Sequence, residues 1–146
     1  MALSANRERH YSKSNKLAGS ALGADSQEFY EGQLLMYTPA ASTVQPAADT
    51  SGGRIAGVCT KRVTTGSSNT TEIPFEFCHL EWFPIAASSL AAGDEGLDAV
   101  IADDGTLGEA ADESNDVRAG RIYKLETIKG VAGAWIQVAV HGPSAA

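Results

Sequence analysis

The sequence predicts an all-β protein, and two features of its 146 residues support this class. Short runs with alternating apolar residues are separated by clusters of Gly, Pro, Asn, Asp and Ser, a pattern typical of strands and turns. No long run keeps an apolar stripe at helical spacing. The length suits one domain with a single core. We therefore expect a small β-barrel or sandwich of short antiparallel strands with an extended N-terminal arm.

Residues 1–24 are predicted to be a flexible arm, followed by a single β-rich domain at 25–142 and a tail at 143–146. The arm is rich in Ser, Asn, Ala and Gly and lacks apolar periodicity, so burial cannot offset the entropy cost of ordering it. It is also basic, since its four cations are opposed by Glu8 alone. Such an arm could solubilise the chain, or it could order on a partner by adding a strand to a sheet edge.

The elements after the arm follow in order. Asp25 and Glu28 have capping-box spacing and predict one helical turn. The next strand candidates are QLLMYT, RIAGVCTKRV and EIPFEFCHLEWFPI. In the last of these the apolar residues move from odd to even positions after Phe77. Because strand side chains alternate between faces, this change predicts a bulge or a switch of strands near Cys78 and His79.

The C-terminal third contains the clearest strand pattern. Its candidates are LDAVIA, LGEA, RIYKLETI and WIQVAV, with turns at DDGT and KGVAGA. In the last run Ile136, Val138 and Val140 share one face of the strand. About seven short strands at this spacing indicate a compact barrel or sandwich.

Residues 91–116 carry nine carboxylates and no Lys or Arg. Their spacing does not match a calcium-binding loop, which places oxygen ligands at short alternating intervals around a Gly. Asp103, Asp104 and Gly105 instead predict a hairpin turn in which Gly supplies a positive φ. We expect the acidic residues at 94–116 to be structural or solvated. A weak cation site and catalytic acids are the alternatives.

Nothing in the sequence predicts an enzyme, a cofactor or a metal site. Cys78 and His79 are neighbours on a predicted strand and would point to opposite faces, the wrong geometry for a nucleophile and its base. Cys59 and Cys78 form no C-x-x-C pair, and we expect both to remain buried thiols. The Gly-containing segments match no phosphate-binding or dinucleotide-binding pattern.

Charge and hydropathy limit the partners. A net charge of −7 and a pI near 4.8 oppose binding to nucleic acid, which requires cations to replace counterions. Charged residues from Arg7 to Arg9 interrupt any export signal, and no apolar run is long enough to span a membrane. We expect a soluble protein, made in the cytoplasm, that contacts neither nucleic acid nor membrane.

Four segments together resemble the capsid cement, or head decoration, proteins of tailed bacteriophages. They are EFYEGQLLMYTP, GRIAGVCTKRV, AAGDEGLDAVIADDGTLGEA and DVRAGRIYKLETIKGVAGAWIQVAV. The likeness lies in their order and spacing over about residues 29–140. The arm before residue 25 has no counterpart in that family, and TTEIPFEFCHLEWFPIAAS is richer in aromatic and acidic residues than the strand usual at its place.

The resemblance implies a non-enzymatic module on the outer surface of the virion. There it would bridge subunits of the major capsid protein and stabilise the expanded shell against the pressure of packaged DNA. Self-association into a trimer or dimer is expected. Because aromatic and basic side chains dominate interfaces, the candidate capsid contacts are Arg7, Arg9, Tyr11, Lys13, Lys16, Phe29, Tyr30, Trp82 and Phe83. Trp135 is a further candidate, for which core packing is the equal alternative.

Two other function classes are open at this point. The first is a β-sandwich module of a virion fibre or surface protein that binds a receptor or glycan through loops near Trp82. The second is a small calcium-dependent enzyme or binding domain that uses the acidic segment.

Overall fold

The structure is a computed structural model that describes residues 2–39, 41–86, 90–109 and 113–141. Within these ranges the chain forms strands and no helix, which confirms the all-β prediction. The helical turn predicted at Asp25 and Glu28 is wrong, because Glu28 begins a strand instead. The strands are β1 Leu17–Leu22, β2 Glu28–Phe29, β3 Leu34–Tyr37, β4 Val44–Pro46, β5 Arg54–Cys59, β6 Val63–Thr64, β7 Glu72–Phe77, β8 Leu80–Pro84, β9 Asp98–Ile101, β10 Leu107–Gly108, β11 Arg118–Ile128 and β12 Val131–Val138.

Two antiparallel five-stranded sheets pack as a sandwich. The first has the order β1-β7-β5-β3-β4 and the second the order β10-β9-β11-β12-β8, while β2 and β6 form a separate pair. One isolated bridge, from Gly23 to Val44, joins the two edges of the first sheet. Another, from Ile85 to Leu107, joins the two edges of the second sheet. One bridge is too short to close a sheet into a barrel, so the sandwich is the correct alternative.

The main core lies between the two sheets. It is built from inward side chains of both sheets, such as Leu34 and Val58 from the first and Phe83 and Ile136 from the second. A second core around Phe29 covers the opposite face of the first sheet, beneath β2 and β6. The centre of the first sheet is therefore buried on both faces. This accounts for the continuous apolar run of β5, whose residues after Arg54 are all buried.

The predicted switch near Cys78 and His79 is confirmed. β7 belongs to the first sheet and β8 to the second, so the chain crosses between sheets at these two residues. Cys78 has a φ of 69°, and its N–H donates to the Val138 carbonyl at 2.9 Å. The move of the apolar residues from odd to even positions thus marks the corner at which the chain passes from the first sheet to the second.

The N-terminal segment follows the same corner. β1 pairs with β7 in the first sheet, from Leu17 opposite Phe77 to Leu22 opposite Glu72. Before the corner, Tyr11 forms an antiparallel bridge with Glu81 of β8 in the second sheet. Residues 10–22 thus run antiparallel to residues 72–82 across both sheets.

The assignment of residues 1–24 to a flexible arm needs correction for β1, because Leu17–Leu22 is a strand of the first sheet. Backbone hydrogen bonds to β7, and not apolar burial, hold this strand in place. For that reason its sequence carries no apolar periodicity.

The acidic hairpin is also present. β9 and β10 pair antiparallel, with Leu107 opposite Ile101, so the turn predicted at Asp103 to Gly105 is confirmed. The Asp103 carboxylate accepts a hydrogen bond from the Gly105 N–H at 2.9 Å. Gly105 does not have the positive φ that was predicted for it. A Cβ there would lie 2.9 Å from the end of the flexible Leu3 side chain, so a larger residue would require only that side chain to shift.

Candidate interaction surface

The aromatic contact candidates are mostly inside the protein. Phe29 and Phe83 are fully buried and Trp82 is 6% exposed, so the folded chain does not offer them to a partner. These three side chains pack inside the protein instead, which corrects their selection as capsid contacts. Tyr30 is half-buried and lies under the Arg62 guanidinium, 5.1 Å from its ring centroid.

Trp82 is fixed by its surroundings. Its indole N–H donates to the Glu126 carbonyl at 2.9 Å. Its ring lies flat against Gly133, where an added Cβ would come within 2.2 Å of the indole. The predicted glycan site near Trp82 therefore lacks the exposed aromatic face on which a sugar would stack.

Two of the basic contact candidates are also buried. The side chains of Arg7 and Arg9 are 9% and 8% exposed, because both reach from the N-terminal segment onto β8. They join three residues of β7, β8 and the corner between them. We call Arg7, Arg9, Glu76, His79 and Glu81 the ion cluster. Capsid contact through Arg7 and Arg9 is corrected to an intramolecular role.

Glu81 is the centre of the ion cluster and is fully buried. Arg7 binds its Oε2, and Arg9 binds both oxygens through Nε at 3.0 Å and Nη2 at 2.7 Å. His79 Nε2 lies 2.7 Å from Oε1 and donates, since an ionised carboxylate can only accept. Four donor contacts saturate this carboxylate, so it can act as a structural centre and not as a general base.

The pKa of Glu81 lies below its ordinary value. Burial alone would raise this pKa, but the hydrogen bonds from His79 and Arg9 and the positive charges of Arg7 and Arg9 outweigh burial. The carboxylate is thus ionised at neutral pH, as a buried acid between two cations should be. Glu76 behaves similarly: burial opposes ionisation, and hydrogen bonds from Lys16 and Arg9 lower its pKa.

Each arginine makes further contacts that fix its position. Arg7 donates from Nε to the Gly32 carbonyl at 2.8 Å and from Nη1 to the Trp82 carbonyl at 3.0 Å. Its guanidinium lies 4.1 Å from the centroid of Phe83. Arg9 stacks on Tyr11, with its guanidinium carbon 4.0 Å from the ring centroid. In both arginines the flat face of the guanidinium thus packs on an aromatic ring, while its N–H groups are hydrogen-bonded.

A second anchor holds the start of the same segment. The Leu3 N–H donates to Asp104 Oδ1 at 2.8 Å, and Gln33 Nε2 donates to Asp104 Oδ2 at 2.7 Å. Asp104 is 5% exposed and contacts no cation in this anchor. Burial therefore dominates and raises the pKa of Asp104, although both hydrogen bonds oppose the rise.

Two residues of the acidic segment at 94–116, which was expected to be structural or solvated, are buried and structural. Asp104 is buried in the anchor described above, and Asp98 on β9 is fully buried. Asp98 Oδ2 lies 3.5 Å from Arg118 and 3.8 Å from His141. Within the described ranges, no group of three or more His, Cys, Asp or Glu residues is arranged to hold a metal ion.

Three of the predicted contacts remain accessible at the corner between the sheets. Lys13 is exposed, Tyr11 is half-buried, and the Lys16 side chain is 29% exposed. Lys16 Nζ lies 2.8 Å from Glu76, so the ion cluster reaches the surface there. We call Tyr11, Lys13 and Lys16 the N-terminal corner.

The two thiols differ in burial, and neither is part of a disulfide. Cys59 is buried, and burial raises its pKa above the ordinary value. Cys78 is half-buried at the corner beside His79.

Sequence reasoning missed Glu76, His79 and Glu81 as partners of the N-terminal segment. One signal could have identified them. Arg7 and Arg9 are two residues apart and project from the same side of an extended chain, and Glu81 is an isolated acid in the aromatic run LEWF. Paired cations and one acid in a buried strand would have suggested a contact.

No helix in the described part of the chain is long and apolar enough to cross a membrane. The chain matches no family model, and it has no match among curated proteins.

Proposed function

We propose that this protein is a decoration protein of a bacteriophage head. It binds the outer surface of the expanded shell, bridges subunits of the major capsid protein and stabilises the shell against the pressure of the packaged DNA. The resemblance of four sequence segments to that family is the basis of the proposal. The all-β sandwich is compatible with it.

The placement of the resembling segments supports the proposal. They supply β2 and β3, β5 and β6, β9 and β10, and β11 and β12, which include the centre of each sheet. The two segments that depart from the family are the N-terminal segment and the one containing β7 and β8. Residues 10–22 of the first lie beside residues 72–82 of the second, and the ion cluster joins the two segments. A family-like body thus carries one additional, internally consistent elaboration.

The N-terminal corner is the structural feature that best supports the proposal. Lys13 and Lys16 are accessible cations beside an aromatic ring on a chain whose net charge is −7. Arg9 of the ion cluster stacks on the Tyr11 ring and restrains its position. A rigid contact surface loses little entropy on binding. The corner therefore suits an acidic patch on the outer face of a shell.

Binding to expanded heads prepared without a decoration protein tests this function. We expect the purified protein to co-sediment with such heads at saturable stoichiometry and to raise the temperature at which they rupture. Absence of co-sedimentation at low ionic strength, where electrostatic attraction is strongest, would contradict the proposal.

A charge-reversed variant tests the surface. Lys13→Glu should weaken head binding and make the remaining binding less sensitive to salt, since one attractive pair is lost. Lys124→Glu is the matched control, because Lys124 is an exposed cation of β11 in the second sheet. Equal binding by both variants would show that the N-terminal corner is not the contact.

A further inference from the structure

β1 is an edge strand whose outer side is open over most of its length. It is the first strand in the order of its sheet and pairs with β7 on its inner side. Among the described residues, contact on the outer side begins at Gly23, which bridges to Val44. Of the four large apolar side chains that are exposed in the described part of the chain, two belong to β1, Leu17 at 52% and Leu22 at 39%.

The strand lacks the features that normally protect a sheet edge. Its sequence LAGSAL contains no charged residue and no Pro. Natural edges are usually blunted by Lys, Pro, a bulge or a covering element, because their free N–H and C=O groups pair readily with another chain. The register of β1 with β7 is regular over all six residues.

The backbone groups that face outward can be assigned. The Gly23 N–H donates to the Thr71 carbonyl, so Gly23 points toward the β7 side. In an antiparallel pair, consecutive residues alternate between pointing inward and pointing outward. Ala18 and Ser20 therefore direct their N–H and C=O groups away from β7. Pro74 lies opposite Ser20, at a position where no N–H to β1 is required.

Charge identifies the occupant of this edge. Lys13 and Lys16 precede β1, whereas Asp25 follows it. When a second copy runs antiparallel to the first, the basic end of each strand lies beside the acidic end of the other. A parallel arrangement would place like charges together. A symmetric pair requires this kind of self-complementary patch.

We propose that two copies of this chain associate through β1 to form a two-fold symmetric dimer with a continuous sheet. The two-fold axis passes between Gly19 of one copy and Gly19 of the other. Ala18 of each copy then lies opposite Ser20 of its partner, and these residues exchange backbone hydrogen bonds. Leu17 packs on the partner's Ala21. This inference does not rest on the proposed function.

The register predicts a specific charge experiment. In the double variant Ala18→Lys with Ser20→Lys, introduced lysines lie directly opposite each other at two places across the axis. The dimer should dissociate about tenfold more readily, because opposed like charges destabilise a strand pair. In the double variant Ala18→Lys with Ser20→Glu, each introduced cation lies opposite an introduced anion, and the dimer should persist. Both positions are exposed, so neither variant should disturb the monomer fold.

Sedimentation equilibrium without capsid provides the measurement, and thermal unfolding confirms that each variant is folded. We expect the wild-type protein and the Lys/Glu variant to form dimers and the Lys/Lys variant to be mainly monomeric. A monomeric wild-type protein would overturn the proposal, as would equal dimerisation of the two variants. Head binding does not enter this measurement, so its result is separate from that of the proposed function.

Discussion

Two buried acids hold the N-terminal segment, and they do so in opposite ways. Glu81 binds two arginines and a histidine, whereas Asp104 accepts hydrogen bonds from a backbone amide and a glutamine side chain. Both carboxylates are desolvated, but only Glu81 has cations to compensate. The pKa of Glu81 therefore falls, and the pKa of Asp104 rises. Burial of an acid does not by itself set its charge; the donors around it do.

The comparison also separates two kinds of attachment. The Glu81 anchor ties residues 7–9 to β8 through charge, and its loss would leave two cations without their main partner. The Asp104 anchor ties residue 3 to the β9–β10 hairpin through neutral donors. Removing an acid that neutralises two buried cations costs more than removing an acid that accepts hydrogen bonds only from neutral donors.

The largest effect is expected for Glu81→Gln. The change leaves Arg7 and Arg9 buried with Glu76 as the remaining acid, so the free energy of unfolding should fall by about 3–5 kcal/mol. Urea denaturation followed by tryptophan fluorescence measures this loss. Glu72→Gln, at an exposed glutamate of β7, should change stability little. Similar losses in the two variants would refute the central role of Glu81.

Trypsin cleavage measures the effect of Glu81→Gln on the N-terminal segment itself. Arg7 and Arg9 are protected by burial in the wild-type protein. In Glu81→Gln, cleavage after these residues should become faster than in Glu72→Gln under native conditions.

A smaller loss is expected for Asp104→Ala. The Gln33 side chain and the Leu3 N–H lose their acceptor, which should lower the free energy of unfolding by about 1–3 kcal/mol. A double-mutant cycle with Gln33→Ala isolates the coupling between Gln33 and Asp104. Additive losses in that cycle would show that the 2.7 Å contact contributes nothing to stability.

The two acids should give opposite pH dependences. Because the pKa of Glu81 is lowered in the fold, its contribution is complete above the ordinary value of 4.5 and is lost as pH falls through the folded pKa. Because the pKa of Asp104 is raised, its contribution is complete below the ordinary value of 3.8 and is lost as pH rises through the folded pKa.

The free energy of unfolding of the wild-type protein, Glu81→Gln and Asp104→Ala, measured by denaturation at acidic pH, tests these two opposite pH dependences. Relative to the wild-type protein, Glu81→Gln should lose less stability on acidification, since the lost contribution is already absent. Asp104→Ala should lose more, because it lacks the group that gains on protonation. Parallel pH profiles for all three would contradict both pKa assignments.

The smallest effect is expected at the rim of the ion cluster. Lys16→Met removes an ion pair with Glu76 that is open to solvent, and exposed pairs of this kind contribute little. Stability in thermal unfolding should be unchanged within error. A clear loss would show that the ion cluster extends as a cooperative network to the surface.

Much of the fold could be predicted from the sequence because strand patterns are local. Alternation identified most of the β3–β12 region, and the change of phase after Phe77 located the switch between sheets. The turn at Asp103 to Gly105 followed from residue type. β1 was missed because LAGSAL is held by backbone pairing and buries little apolar surface.

The sequence by itself determined the fold class, the turns and the basic character of the N-terminal segment, since these depend on neighbouring residues. Only the tertiary structure decided which charges are buried and which aromatics are accessible. Arg9 and Glu81 are 72 positions apart in the chain, and no local pattern predicts their contact. Whether a cation meets a partner inside the protein or remains available to another molecule depends on which distant strand lies beside it. For this reason Arg7 and Arg9 became structural residues, while Lys13 stayed on the surface.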